Sequence, residues 1–207
     1  MSQAGTDTFG GVQSAIRASD EEILSTFLKG DEAMFTELVR RYEKPLYAFI
    51  CRMTGDEADA SDLFQETFVR VYRSAGSFRR DSRFKTWLYA IAANLCRSRL
   101  RKDRGEVTLS LDAGDAAREL SSPGEPGPNG LESEEIGRHV TAAVKELPSE
   151  QREVVLLRVY DEMSYAEIAT TLGRPLGTVK TQMRLAVQRL RGRLHGIAQA
   201  YGMVQES

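Results

Sequence analysis

The side chains in this sequence whose types and spacing suit a shared task lie between Ser164 and Arg193, and the task is holding a polyanion. From Arg174 to Arg193 the basic residues Arg174, Lys180, Arg184, Arg189, Arg191 and Arg193 occur with no acid among them. At helical spacing, Lys180, Thr181, Arg184, Gln188 and Arg191 share one outward face, and Val179, Met183, Val187, Leu190 and Leu194 line the opposite, inward face. Cations on such a face hold phosphates, and Thr178 and Thr181, near the start of the helix, can reach base edges.

A local device aims that helix. Ser164-Tyr165-Ala166-Glu167 is a capping box, in which Ser164 accepts from the Glu167 backbone N–H and the Glu167 side chain reaches back. It opens a short helix from Tyr165 to Leu172 with Ile168 and Leu172 inward. Ala169 lets a second helix approach closely, and Gly173 supplies the positive φ of a turn. Pro175 and Gly177 punctuate that turn, and Thr178 is expected to begin the next helix. An ordinary hairpin with a basic solvent face would share some of these features. The capping box, the glycine turn and the acid-free helix together favour a DNA-binding helix-turn-helix.

A second basic cluster lies far upstream. Arg79, Arg80, Arg83, Lys85, Arg97, Arg99, Arg101, Lys102 and Arg104 are opposed only by Asp81 and Asp103. Acids gather elsewhere, at Asp56, Glu57, Asp59, Asp62 and Glu66 and through Glu106–Glu135, so a net charge of −2 conceals two basic faces.

Other chemistries find little support. Cys51 and Cys96 form no CxxC pair or disulfide framework and read as buried, reduced thiols. His139 and His195 stand alone, so no metal, cofactor or catalytic residue is expected. Met1–Arg17 lacks the apolar centre of a signal peptide, and no apolar run approaches the ~18–20 residues that span a bilayer. A cytoplasmic protein without membrane insertion is the expectation.

The elements that must carry these residues are helices nearly throughout the 207 residues. A short helix is expected from an Asp20 N-cap to near Gly30, with Ile23, Leu24, Phe27 and Leu28 apolar. A longer one follows Asp31 to Met53, kinked at Pro45. A third runs from about Glu57 to Ser74, its apolar stripe carrying Leu63, Phe64, Phe68, Val69 and Tyr72. A fourth runs from about Ser82 to Lys102, where Trp87 reads as core beside Phe84, Leu88 and Ile91. Gly105 to Gly130 is rich in Pro, Gly and Ser and lacks apolar mass, so a flexible linker is expected there. Helical signals resume near Glu132. Leu147–Arg158 reads as a helix supplying Leu147, Val154, Val155 and Leu157 to the core beneath the reading helix.

The fold class is therefore all-α, with two helical domains joined by a flexible linker. The expected boundaries are a tail at 1–19, a bundle at 20–104, a linker at 105–132, a second domain at 133–200 and a tail at 201–207.

Leu147-Pro148, Gln151-Arg152-Glu153-Val154, Ser164-Tyr165-Ala166-Glu167-Ile168-Ala169, Leu172-Gly173 and Gly177-Thr178-Val179-Lys180 closely resemble region 4 of the extracytoplasmic function (ECF) sigma factors. Asp62-Leu63-Phe64-Gln65-Glu66-Thr67-Phe68 and Phe84-Lys85-Thr86-Trp87-Leu88-Tyr89-Ala90-Ile91-Ala92-Ala93-Asn94 resemble region 2. The resemblance covers about 20–104 and 135–194, with no region 3 segment. It implies a promoter-specificity subunit that binds core RNA polymerase, through the β′ clamp helices and the β subunit, and binds promoter DNA, and it implies an anti-sigma factor as a further partner. Asp62, Gln65 and Glu66 would meet the clamp helices. Arg79, Arg80, Arg83, Lys85, Asn94 and Arg97 would engage the −10 element, with the Phe78–Arg83 loop and Asn94 forming a pocket for an unstacked base. Arg174, Thr178, Lys180, Thr181, Arg184 and Gln188 would contact the −35 element. Gln182 and Leu185 stand where the family often has arginine, so the family's −35 sequence preference does not carry over. By resemblance the linker either threads toward the polymerase active-site channel or is a passive tether. A helix-turn-helix regulator acting without polymerase is the alternative, and it leaves the Asp62–Phe68 match unexplained.

Overall fold

The computed structural model describes residues 18–79, 81–103 and 130–200, with side chains in the last stretch described over 136–195. Eight α-helices and one short 3-10 turn make up the described residues, which contain no strand. The first bundle comprises α1 (Asp20–Phe27), α2 (Glu32–Thr54), α3 (Glu57–Ser74), the 3-10 turn Ala75–Ser77 and α4 (Phe84–Asp103). The second comprises α5 (Gly130–Lys145), α6 (Ser149–Val159), α7 (Tyr165–Leu172) and α8 (Leu176–Ala200). The expected linker at 105–132 and both tails fall largely or wholly outside the described residues.

Local chemistry sets the ends of the helices. Ser19, rather than Asp20, caps α1: its hydroxyl accepts from the Glu22 N–H at 3.2 Å, and Glu22 accepts from the Ser19 N–H at 2.8 Å. That leaves the Asp20 carboxylate for Arg41, at 2.7 Å, and for the Tyr42 hydroxyl. Helix α2 runs unbroken through Pro45. Pro45 lies on the exposed side of the helix, away from the core that Leu46 and Phe49 enter. Gly55, with φ 77°, then stops the helix in the left-handed conformation. Helix α4 starts at Phe84, two residues later than expected, because the Phe84 N–H finds the Glu21 carboxylate at 2.7 Å. Helix α8 starts at Leu176, ahead of the expected Thr178. The Val179 N–H bonds back to the Pro175 carbonyl at 3.2 Å, so Gly177 falls inside the first turn.

In the first bundle Leu38, Leu46, Phe49, Ile50, Met53, Phe84, Leu88 and Tyr89 are almost wholly buried. Phe68 is buried as expected, and Trp87 is half-buried with its ring 5.1 Å from Phe78 and 6.0 Å from Phe84. Val69 and Tyr72 differ from the expected stripe. They are 40% and 50% exposed, because α3 turns only one face onto α2 and α4. In the second bundle Leu147, Val154, Val155, Leu157, Ile168 and Val179 are buried, as their spacing implies.

The two bundles share one apolar core. Val144, Val154, Leu156, Leu157 and Met163 of the second are continuous with Ile50, Met53, Leu88 and Tyr89 of the first. Helix α2 lies against α5 and α6, and α4 lies against α7. Arg152 fastens this seam by donating to the Met53 carbonyl at 2.5 Å, to the Leu147 carbonyl at 3.2 Å and to the Lys145 carbonyl.

Candidate nucleic-acid interface

Helices α7 and α8 form the helix-turn-helix that the spacing predicts. Ser164 accepts from the Glu167 N–H at 3.2 Å, and Glu167 accepts from the Ser164 N–H at 2.9 Å. The Ser164 hydroxyl also donates to the Glu167 carboxylate at 2.7 Å, and this bond first, with the Ser164 N–H bond second, holds the Glu167 carboxyl below its ordinary range. Gly173 makes the turn at φ 63°. Helix α8 then packs along α5, α6 and α7 with Val179 and Ala186 buried and Met183, Val187, Leu190 and Leu194 half-buried. Its other face presents Thr178, Lys180, Thr181, Arg184, Gln188 and Arg191, all exposed.

Among the described residues no acid stands within ion-pair distance of Lys180 or Arg184. The polar contacts of α8 lie on its flank, where Arg193 meets Glu146 at 2.7 Å and Arg189 donates to Gln151 at 3.0 Å. Arg174 is turned away from the reading face and pairs with the buried Glu153 at 2.6 Å.

The basic face of α4 is arranged differently. Arg79 pairs with its neighbour Asp81 at 2.8 Å, and Arg80 lies outside the described residues. Arg83 meets Glu167 at 2.9 Å, and the Lys85 ammonium donates to the Asp161 carbonyl at 2.6 Å. Arg97 pairs with Glu153 at 2.8 Å and also donates to the exposed Asn94 side-chain carbonyl. Three cations of the first bundle are thus answered by groups of the second.

Burial dominates the electrostatics at this seam. The Asp161 carboxyl is pushed up to about 6 by burial, against the lowering influence of the Tyr89 hydroxyl, which donates to it, and of Lys85 and Arg52. Glu153 is wholly buried, and burial raises it above the ordinary carboxylate range in spite of Arg97 and Arg174. The Tyr89 phenol is raised by burial and by the adjacent Asp161 charge.

The thiols have no reactive setting. Cys96 is pushed up to about 12, mainly by burial, and burial also raises Cys51. His139 is exposed, and among the described residues no cluster of His, Cys, Asp or Glu is placed to hold a metal. No described helix is long and apolar enough to cross a membrane.

Family comparison matches residues 38–106 to Sigma-70 region 2 and residues 137–190 to Sigma-70, region 4. The ECF RNA polymerase sigma factor SigW of Bacillus subtilis is 32% identical over 174 residues, covering 82% of this chain and 93% of that protein. The chain belongs to the ECF group of the sigma-70 family. Among solved structures, CnrH in complex with the cytosolic domain of CnrY shares the fold, with a TM-score of 0.64 and 23% identity over 86% of this chain and 99% of that one. The sigma factor RpoE in complex with the anti-sigma factor NepR, from Bartonella quintana, has a TM-score of 0.59 and 26% identity over 78% of this chain and 96% of that one.

In region 2 of this sigma factor, α3 presents Asp62 and Gln65 exposed and Glu66 half-exposed, with Glu66 held by Arg70 at 2.7 Å. Val69 and Tyr72 continue along the same helix, and Tyr72 stacks near Phe27 and Phe35, with ring centroids 5.3 and 5.2 Å away. This apolar extension was not expected, because a half-exposed aromatic at helical spacing reads as core. In region 4, sequence reasoning also missed the exposed Val159, Tyr160 and Leu176. The guanidinium of region 2 Arg52 lies 4.1 Å over the Tyr160 ring, a contact with no local signal in the sequence.

Proposed function

We propose that this sigma factor directs core RNA polymerase to promoters through two DNA-contacting faces and helps to open the −10 region. The single observation that carries the reading is the α8 face. Thr178, Lys180, Thr181, Arg184 and Gln188 are exposed on the second helix of a helix-turn-helix, with no acid beside Lys180 or Arg184 among the described residues. Such a helix can enter a major groove while its cations hold phosphates. Arg174 contributes at the edge of this face when its pairing with Glu153 exchanges for phosphate.

Region 2 takes the other two tasks. Asp62, Gln65 and Glu66 form an acidic and amide-bearing edge suited to a basic coiled coil such as the β′ clamp helices, where charge complementarity sets register and on-rate. Arg79, Arg80, Arg83, Lys85 and Arg97 supply cations for the −10 strand. Asn94 offers both a donor and an acceptor to an unstacked base. The β subunit is the further polymerase contact, with region 4. The polymerase performs the chemistry, so the sigma factor needs no catalytic group or cofactor.

The Pro- and Gly-rich stretch at 105–132 serves as the tether that lets the two regions reach separate promoter elements. The protein acts in the cytoplasm, and an anti-sigma factor holds it in reserve. The likeness to RpoE, solved in complex with NepR, supports that partner.

Purification with core polymerase followed by sequencing of the transcripts tests the proposal. Co-elution and initiation from a defined promoter set are expected. DNA binding without co-elution or promoter-dependent initiation would replace it with a helix-turn-helix regulator that works apart from polymerase.

A further inference from the structure

We infer that this sigma factor reads its −35 element through A·T base pairs, with uncharged side chains of α8 on the base edges and its cations on the phosphates beside them. This deepens the reading of α8 as the −35 face and rests on it. The exposed arc of α8 is sorted by chemistry. At about 3.6 residues per turn, Lys180, Arg184 and Arg191 run along one side of it. Thr181 and Gln188, close to two turns apart, form its crest. Thr178 and the half-buried Leu185, again close to two turns apart, form the other side. Arg189, next round on that side, is turned to Gln151 at 3.0 Å.

Each base pair asks for a different side chain in the major groove. Guanine presents the N7 and O6 acceptors, which call for the paired donors of Arg or Lys. Thymine presents its C5-methyl, which suits a Thr methyl or a Leu. Adenine presents N7 with its N6 amino group, which a Gln amide meets with one donor and one acceptor. Thr178, Thr181, Leu185 and Gln188 fit the second and third of these, and Gln182 and Leu185 stand where the family often has arginine. Thr181 to Gln188 covers about 10 Å of helix, or about three base-pair steps. Lys180, Arg184 and Arg191, to one side, are placed for the phosphate strand that borders the groove. The first turn of α8 is also shaped to come close. Gly177 lies on its outward side without a positive φ, and a Cβ there would meet no neighbouring helix within 4 Å. No packing inside the protein calls for a glycine at that point. Its bare backbone lets α8 sit deep enough for the short Thr178 and Thr181 side chains to reach base edges.

The test uses holoenzyme reconstituted from core polymerase and the full chain. It transcribes a library built on a promoter mapped from the transcripts, with the −35 element randomised and a transcribed barcode marking each template. Wild type is expected to enrich A·T pairs across the element. Gln188→Ala should relax the preference for adenine at one base pair by roughly tenfold and leave the other positions within about twofold. Arg184→Ala should lower output from all templates alike, with the base preferences unchanged. Both side chains are exposed, so neither change disturbs the core. Enrichment of a G·C pair that is lost in Arg184→Ala overturns the inference and leaves α8 as the −35 face. An A·T preference that survives both Gln188→Ala and Thr181→Ala comes from DNA shape and overturns the direct reading. Output and preference untouched by all three variants refute α8 as the −35 face itself.

Discussion

The two basic faces of this sigma factor look alike in sequence and differ in the folded chain. On α8, Lys180 and Arg184 point to solvent with no ion-pair partner among the described residues, because the apolar half of that helix and the flanking Arg189 and Arg193 make its contacts with its neighbours. At the start of α4 and on its side facing the second bundle, Arg83, Lys85 and Arg97 are matched by Glu167, the Asp161 carbonyl and Glu153 across a shared core. Charge sorting along a sequence thus locates where a polyanion can bind. Packing determines which of those places is free.

The contrast is most strongly tested at Glu153, which among the described residues pairs with a cation of each region. Glu153→Ala leaves Arg97 and Arg174 partly buried without their carboxylate, and urea unfolding should show a loss of about 3–5 kcal/mol. A loss below about 1 kcal/mol would mean that the paired face is held by apolar packing alone.

Next in size is the pH response of the seam. The Asp161 carboxyl sits at about 6 in the folded chain against an ordinary 3.8, so between those values the native state binds more protons than the unfolded one. Its contribution to stability is fully present below about pH 4 and is lost as pH rises through about 6. Relative to Asp161→Asn, the wild-type chain should lose roughly 2–3 kcal/mol between pH 4 and 7 in paired urea titrations. A difference that is flat with pH would indicate that Asp161 is hydrated.

The open face predicts a smaller effect of a different kind. Lys180→Ala and Arg184→Ala should each weaken promoter-duplex binding and reduce the slope of log K against log salt by about one, as read by anisotropy across a salt series. Unchanged slopes for both would place the −35 contacts elsewhere. Smallest, Ser164→Ala removes the capping hydroxyl of α7 and should cost about 1 kcal/mol in thermal or urea unfolding, with the salt slope unaltered.

What the sequence made legible follows the range of the forces involved. The α7 capping box, the left-handed Gly173 and the outward face of α8 depend on residues within a few positions of one another, and all are found as expected. The shift of the α1 cap from Asp20 to Ser19 is also local, but both residue types cap well, and only the distant Arg41 and Tyr42 decide between them. Val69 and Tyr72 carry core-type side chains on a helix whose buried arc is narrower than its apolar stripe. The pairing of Arg97 with Glu153 joins residues 56 positions apart and has no periodic trace, so two cations of equal appearance, Arg97 and Arg184, reach opposite fates.

Permanganate footprinting of a promoter fragment with core polymerase tests most directly whether two distinct DNA faces serve promoter recognition and opening. With the wild-type sigma factor, thymines of the −10 region should become reactive while the −35 element is protected. Asn94→Ala should lose the reactivity and keep the protection. Reactivity that does not depend on the sigma factor, or loss of reactivity and protection together in Asn94→Ala, would contradict it.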